Sequence, residues 1–108
     1  MNNSYSSISV IGAGAWGTAI ASTLSKNQKF INLWAKELEV TNSINTKNEN
    51  TLFLPGIKLS PKIKAHNDFK FLEISDLLFF VTPAHYFRQT LENISNAINK
   101  NVPIVLCS

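Results

Sequence analysis

The sequence is poor in cysteine and in charge, and it has no long apolar run. Cys107 is the only cysteine, which excludes an intrachain disulfide and a thiolate metal cluster. No apolar segment approaches the roughly 20 residues that cross a bilayer. The N-terminus also lacks the basic region and apolar core of a secretory signal. With 44% hydrophobic and 16% charged residues, the composition predicts one globular, cytoplasmic domain without a membrane span.

Candidate acid–base and metal-binding residues are few and scattered. His66 and His85 are the only histidines, and a structural role is favoured for both over contact with a ligand. Asp76 is expected to begin a strand and not to act as a base. Two separated histidines and one cysteine do not form a metal-ligand set. The sequence therefore predicts no metal site and no catalytic residue.

The basic residues outnumber the acidic ones and give a formal net charge of +3. The densest group, Lys58, Lys62, Lys64 and Lys70, is spread along the chain without the interleaved aromatics of a nucleic-acid stacking surface. We therefore expect a solvated basic face and no nucleic-acid partner. A second interpretation is that these lysines attract anionic, phosphorylated ligands.

Glycines interrupt an apolar segment near the N-terminus. Residues 8–11 form a short apolar run, and Gly12, Gly14 and Gly17 follow it in G-x-G-x-x-G spacing. Apolar residues then recur at helical spacing. A strand, a glycine turn and a helix in this order are typical of a dinucleotide site, where the helix N-terminus faces the pyrophosphate. A plain strand–turn–helix corner is the alternative, because glycines also occur in turns for steric reasons.

Strand and helix patterns alternate along the rest of the chain. The predicted fold is therefore α/β, a Rossmann-type doubly wound parallel sheet that binds ligands outside the carboxyl ends of its strands. The later predicted strands are residues 30–34, 62–65, 77–81 and 102–106; the predicted helical segments are a weak helix within 36–50, a short helix or turn at 69–74, and a long helix at 84–100. The run at 77–81 is apolar throughout, which suits a strand buried on both faces.

Several motifs occur together in a recognisable order, and the sequence resembles the N-terminal domain of the NAD(P)-dependent glycerol-3-phosphate dehydrogenases. The motifs are I-S-V-I-G-A-G-A-W-G-T-A-I-A at 8–21, L-W-A-K at 33–36, F-L-P-G-I-K-L at 53–59, N-D at 67–68, V-T-P-A at 81–84 and V-P-I-V-L-C-S at 102–108. Members of that family reduce dihydroxyacetone phosphate to sn-glycerol 3-phosphate, a phospholipid precursor, by hydride transfer from a nicotinamide cofactor. The resemblance implies the same activity and a phosphorylated small-molecule substrate.

The resemblance also implies which residues bind the cofactor. Lys36 occupies the place of a basic residue near the adenosine ribose, Phe53 replaces a tyrosine of the family, and the backbone around Pro83 lines the nicotinamide side. A cation after the second strand accommodates the additional phosphate of NADP, so Lys36 favours NADP slightly over NAD, with use of both left open. The predicted cofactor-binding residues are Gly12, Ala13, Gly14, Ala15, Trp16, Gly17, Lys36, Phe53 and Pro83.

The sequence given stops at Ser108, within what the family continues as C-S-K-G. In the family, a C-terminal helical domain supplies the catalytic lysine and most of the substrate phosphate site. We therefore interpret residues 1–108 as a truncated dinucleotide-binding domain that is inactive alone and is able to form a homodimer through an exposed apolar sheet edge. Two alternatives remain open: the NAD(P)-binding domain of another hydroxy-substrate dehydrogenase, and a non-catalytic dinucleotide-binding module.

Overall fold

Strands and helices alternate in the computed structural model, which describes residues 5–98 and 101–107. Within these residues the strands are β1 (Ile8–Ile11), β2 (Ile31–Trp34), β3 (Ile63–His66), β4 (Leu77–Phe80) and β5 (Ile104–Leu106), and the α-helices are α1 (Ala15–Leu24), α2 (Leu38–Lys47) and α3 (Phe87–Ile94). Short 3₁₀ helices lie at Ser25–Asn27, Lys70–Ile74 and Ala84–Tyr86. The predicted alternation is confirmed.

The strands form one sheet in the order β3-β2-β1-β4-β5, and every neighbouring pair is parallel. Strand order reverses at β1, which lies between β2 and β4. Ile11 pairs with Trp34 on one side and with Phe80 on the other, so the last residues of three strands are level with one another. The predicted doubly wound sheet is confirmed, and the loops that follow these strands meet at one edge.

The apolar core has one cluster on each face of the sheet, because successive strand residues point to opposite faces. Val10 belongs to the cluster that includes residues of α1 and α2, whereas Ile11 belongs to the cluster that includes Ile94 of α3. Leu78 and Phe80 of β4 are buried in this second cluster, and Leu77 and Phe79 pack, partly buried, against the first. The apolar run at 77–81 thus contacts both layers, as expected.

The predicted helix at 84–100 is shorter among the described residues. A 3₁₀ helix follows Pro83, α3 ends at Ile94, and residues 99 and 100 lie outside the described residues. At the end of α3 the Ser95 hydroxyl donates to the Glu92 carbonyl at 3.0 Å, and the Ala97 N–H donates to the Ile94 carbonyl at 2.8 Å. Serine and asparagine side chains compete for backbone groups in this way and favour helix ends. The predicted apolar stripe is confirmed, since Phe87, Leu91, Ile94 and Ile98 all pack in the second cluster.

The last strand begins two residues later than predicted and is exposed. Pro103 has no N–H to donate, and its carbonyl accepts a hydrogen bond from the Leu78 N–H at 3.0 Å. The regular ladder of β5 therefore starts at Ile104 and ends at Leu106, whose side chain is 64% exposed. β5 has one neighbour, β4, in the sheet that the structure describes.

Asp76, just before β4, holds the residues that precede β1. Its carboxylate accepts hydrogen bonds from the N–H groups of Ser6 and Ser7 and from the Ser6 hydroxyl, all at 3.0 Å. Its own N–H donates to the Ser7 carbonyl at 2.9 Å. Burial alone would raise the pKa of Asp76, but the hydrogen bonds from Ser7 and Ser6 outweigh it and lower the pKa below its ordinary value. The expected structural role at the start of a strand fits this geometry.

We predict that Asp76→Asn destabilises the fold at neutral pH by about 1 kcal/mol, a modest value because the carboxylate is partly solvated. A pKa that is lowered on folding contributes stability above the unfolded pKa, and this contribution is lost as pH falls through the folded pKa. Urea unfolding at neutral pH and at about pH 2 should therefore show the difference only at neutral pH. Asp68→Asn is the control, because the Asp68 side chain accepts one hydrogen bond among the described residues, from the nearby Lys70 N–H. An equal loss at both pH values would contradict the prediction.

Candidate functional site

The glycine turn after β1 requires two of its three glycines for steric reasons. Gly12 has φ +118°, and a Cβ added there would lie 2.4 Å from the carbonyl oxygen of Val81. A Cβ added at Gly17 would lie 1.8 Å from the carbonyl oxygen of Gly12. Nothing lies within 4 Å of a Cβ added at Gly14. The first and third glycines thus allow the strand, turn and helix to pack closely, and the second faces open space.

The N-terminus of α1 presents backbone donors at this open space. The first helical hydrogen bond runs from the Thr18 N–H to the carbonyl of Gly14, at 3.0 Å, and no side chain caps the helix. The N–H groups of Gly14, Ala15 and Trp16 have no acceptor among the described residues, and all three residues are exposed. The first turn contains no acidic residue. Free donors and the positive end of the helix dipole make this turn suited to an anion.

Two other predicted segments reach the same edge of the sheet. Lys36 is exposed and lies two residues beyond the end of β2, and Pro83 is exposed and lies three residues beyond the end of β4. The Val81 N–H donates to the carbonyl of Ile11 at 2.9 Å, which keeps the β4 segment against the glycine turn. The topology thus brings the glycine turn, Lys36 and Pro83 to one edge of the sheet.

Phe53 is connected to the glycine turn through Asn50, a residue that the sequence analysis missed. Asn50 is fully buried. Its Nδ2 donates to the carbonyl of Ala13 at 2.8 Å and lies 2.9 Å from the Thr18 hydroxyl, and its Oδ1 accepts from the Phe53 N–H at 3.1 Å. In sequence, Asn50 is one of several asparagines in a polar stretch. Its only distinguishing signal is its position just before the F-L-P-G motif.

The segment before Lys36 is held by the N-D motif that follows β3. The Asn67 side chain donates to the carbonyl of Ala35 at 3.0 Å and accepts from the Thr41 hydroxyl at 2.8 Å. The indole N–H of Trp34 donates to the Asn67 carbonyl at 2.8 Å, and the Trp34 ring stacks on Phe69 with centroids 4.7 Å apart. These contacts fix the backbone from which Lys36 projects.

The histidines have packing contacts of their own. Burial lowers the pKa of His66, and the nearby Asp68 carboxylate opposes this shift. His66 Nε2 lies 2.8 Å from Asn32 Oδ1, and its ring stacks on Phe71 at 4.6 Å. His85 is exposed, with its ring 4.2 Å from that of Tyr86. Across residues 5–98 and 101–107, no three His, Cys, Asp or Glu side chains are grouped to hold a metal ion.

The same described segments include no helix of the length and apolarity needed to cross a membrane.

Comparison with known proteins identifies the family. Residues 7–108 match the family model described as the NAD-dependent glycerol-3-phosphate dehydrogenase N-terminus. The chain belongs to this family. The resemblance seen in the sequence is confirmed, and the match favours a glycerol-3-phosphate dehydrogenase NAD-binding domain over the domain of another dehydrogenase.

Relatives and solved structures of glycerol-3-phosphate dehydrogenases agree with this assignment. The chain is 44% identical over 108 residues to glycerol-3-phosphate dehydrogenase (NAD(P)+) of Hyphomonas neptunium, covering 100% of this chain and 32% of the relative. The structure of the Saccharomyces cerevisiae enzyme superposes with a TM-score of 0.87 at 26% identity, covering 94% of this chain and 33% of that one. The Plasmodium falciparum enzyme gives 0.85 at 31% identity, covering 94% and 32%. The chain therefore spans about a third of the length of its curated relatives.

We predict that Gly12→Ala and Gly17→Ala each destabilise this glycerol-3-phosphate dehydrogenase domain by roughly 1 to 3 kcal/mol or more, because the added methyl group overlaps a backbone carbonyl. Gly14→Ala is the matched control and should cost under about 1 kcal/mol, since the position is open and lies at the helix N-cap. Urea unfolding of the three variants measures the difference. Equal losses at all three positions would contradict the steric explanation.

Proposed function

We propose that this chain is the cofactor-binding domain of an enzyme that reduces dihydroxyacetone phosphate to sn-glycerol 3-phosphate with NADH or NADPH. The observation that carries the proposal is the set of exposed, unpartnered N–H groups of Gly14, Ala15 and Trp16 at the N-terminus of α1. The reaction is inferred from membership of the glycerol-3-phosphate dehydrogenase family. The fit to a dinucleotide is supported by the open space at Gly14, which lets a pyrophosphate approach the backbone.

The six residues of the glycine turn, residues 12–17, have different proposed roles in binding the pyrophosphate. Gly14, Ala15 and Trp16 offer N–H donors, and the buried Gly12 and Gly17 allow the backbone to turn tightly enough to aim them. Ala13 is buried with its carbonyl turned toward Asn50. Because the donors belong to the backbone, recognition of the pyrophosphate depends on the path of the chain more than on side-chain chemistry.

Lys36, Phe53 and Pro83 are proposed to contact the remaining parts of the cofactor. Lys36 projects from the end of β2, where the adenosine ribose binds in dinucleotide folds. Phe53 is 38% exposed as a residue, and its N–H donates to Asn50 Oδ1. The Pro83 carbonyl accepts from the Tyr86 N–H at 2.9 Å, a contact that holds the backbone proposed to line the nicotinamide side.

Reduction also requires a group that stabilises negative charge on the substrate oxygen. When bound, the nicotinamide cofactor supplies the hydride. The described residues at this edge of the sheet include Lys36 as the proposed ribose-side cation, and we assign none of them to the substrate carbonyl. Since the chain spans about a third of its relatives, we propose that the catalytic lysine implied by the family lies in the remaining length and that these 108 residues are inactive alone.

Three further parts of the proposal rest on the family resemblance and on composition. They are a role in phospholipid synthesis, a cytoplasmic location and a homodimer. Each stays a prediction.

We predict that the chain binds NADH and that Gly14→Asp weakens binding by at least about tenfold, because a carboxylate would stand where the pyrophosphate approaches. Gly14→Asn is the matched control of the same size without the charge, and it should weaken binding less. Aspartate and asparagine are both favourable helix N-caps, so both variants should fold. Calorimetric titration gives the Kd values. Binding of NADH that is equal in all three proteins, or absent from the wild type, would overturn the pyrophosphate assignment.

Activity is predicted to require the two thirds of the relatives' length that this chain does not span. The chain alone should not oxidise NADH when dihydroxyacetone phosphate is added. A chimera in which this chain replaces the aligned 108 residues of the Hyphomonas neptunium relative should do so, and the same chimera carrying Gly14→Asp should be slower when the NADH concentration is below its KM. A folded chimera without activity, or turnover by the chain alone, would contradict the proposed division.

Lys36 is predicted to favour NADPH. Lys36→Glu should weaken NADPH binding on the order of tenfold more than NADH binding, because it reverses a charge beside the additional phosphate. Lys29→Glu is the control: it makes the same change in net charge at an exposed lysine before the start of β2, at the opposite end of that strand. Titrations of both variants with both cofactors test the preference. An equal change in the two Kd values for Lys36→Glu would exclude this role.

A further inference from the structure

Both the nitrogen and the oxygen of the Asn50 side-chain amide make hydrogen bonds inside the protein, next to the glycine turn. Asn50 is 0% exposed. Both of its donor directions are occupied, one by the Ala13 carbonyl oxygen at 2.8 Å and one by the Thr18 hydroxyl at 2.9 Å, and its oxygen accepts from the Phe53 N–H at 3.1 Å. A buried amide with this many partners has one orientation that satisfies them.

The hydrogen bond to Ala13 fixes the direction of the next N–H group. In a planar trans peptide the carbonyl and the following N–H point in opposite directions. The Ala13 carbonyl points inward to Asn50, and thus the Gly14 N–H points away from the core, on the exposed side of the turn. Among the described residues, the donors to the Ala13 carbonyl are side chains alone: Asn50 at 2.8 Å and Thr18 at 3.3 Å.

The same amide joins two segments that are both proposed to contact the cofactor. Asn50 and Ala13 are 37 residues apart in sequence. On its other side, the Oδ1 atom of Asn50 holds the Phe53 N–H, and its backbone carbonyl accepts from the Leu54 N–H at 2.8 Å. One side chain therefore bonds both to the Phe53 segment and to the peptide between Ala13 and Gly14.

We propose that Asn50 is a positioning residue for cofactor binding, which orients the Gly14 N–H toward the pyrophosphate and keeps the Phe53 segment in register with the glycine turn. This inference rests on the proposed function, since it concerns the same site. Asn50 acts through Ala13 and Gly14 and does not itself contact the ligand, because it is fully buried.

Asn50→Ala tests the inference in this chain, with NADH as the probe. The variant removes the main donor to the Ala13 carbonyl, and we expect the Kd for NADH to rise by about tenfold or more. Asn45→Ala is the matched control. The Asn45 side chain makes two hydrogen bonds, donating to the Ala65 carbonyl at 3.0 Å and accepting from the Ala65 N–H at 2.9 Å, and so connects α2 to β3 away from the glycine turn. Asn45→Ala should lower the free energy of unfolding and leave the Kd for NADH unchanged.

Asn50→Asp keeps the size of the side chain and an acceptor for the Phe53 N–H but presents an oxygen to the Ala13 carbonyl. It should also weaken NADH binding by about tenfold or more, and it keeps the test decisive if the alanine variant does not fold.

Amide NMR spectra give a second measurement. The Gly14 amide signal should move between the free wild type and the free Asn50 variants, whereas Asn45→Ala should leave it in place.

The outcomes separate this inference from the proposed function. A wild-type chain that does not bind NADH overturns the proposed function itself. A wild type that binds NADH, with a folded Asn50 variant that binds it equally well, overturns the positioning role alone. A loss of affinity in Asn45→Ala as large as that in Asn50→Ala would also overturn it, because the effect would then follow from stability.

Discussion

The contact between the carbonyl of Gly12 and Gly17 is the constraint on which the site depends. The Gly12 carbonyl oxygen lies only 1.8 Å from the position that a β-carbon of residue 17 would take. Only a residue without a side chain allows α1 to begin this close to the end of β1. Because the helix starts here, its unpartnered N–H groups open at the carboxyl edge of the sheet and are not covered by the turn that leads into it.

The register of the sheet determines what else reaches this edge. Ile11, Trp34 and Phe80 are level across the three central strands, so the segments carrying Lys36 and Pro83 begin beside the glycine turn. In a doubly wound sheet the chain leaves these strands in opposite directions at the point where strand order reverses, which opens a crevice. The positions of these site residues therefore follow from strand pairing, and the side chains need only have suitable chemistry.

Local sequence patterns predicted the parts of the fold that local physics decides. The glycine spacing predicted the turn, and the stripe from Phe87 to Ile98 predicted which side of the last helix packs on the sheet. The end of α3 was missed because the apolar spacing continues to Ile98, past the point where the Ala97 N–H bonds to the Ile94 carbonyl three residues back. Asn50 was missed for a different reason. Its partner Ala13 is 37 residues away, and a buried asparagine cannot be distinguished from the solvated asparagines around it until that contact is known.

The chemistry of the donors explains why the turn identifies a cofactor class and not a single cofactor. We propose that backbone N–H groups of the glycine turn bind the pyrophosphate, and because NAD and NADP share this group, such donors do not distinguish the two cofactors. Discrimination requires a side chain near the ribose, and Lys36 lies on backbone held by Asn67 through the carbonyl of Ala35. Lys36 is exposed, so water screens its charge, and the preference that we propose for it is limited in size. In this proposal the balance between the two cofactors depends on one exposed residue, whereas the buried framework serves both.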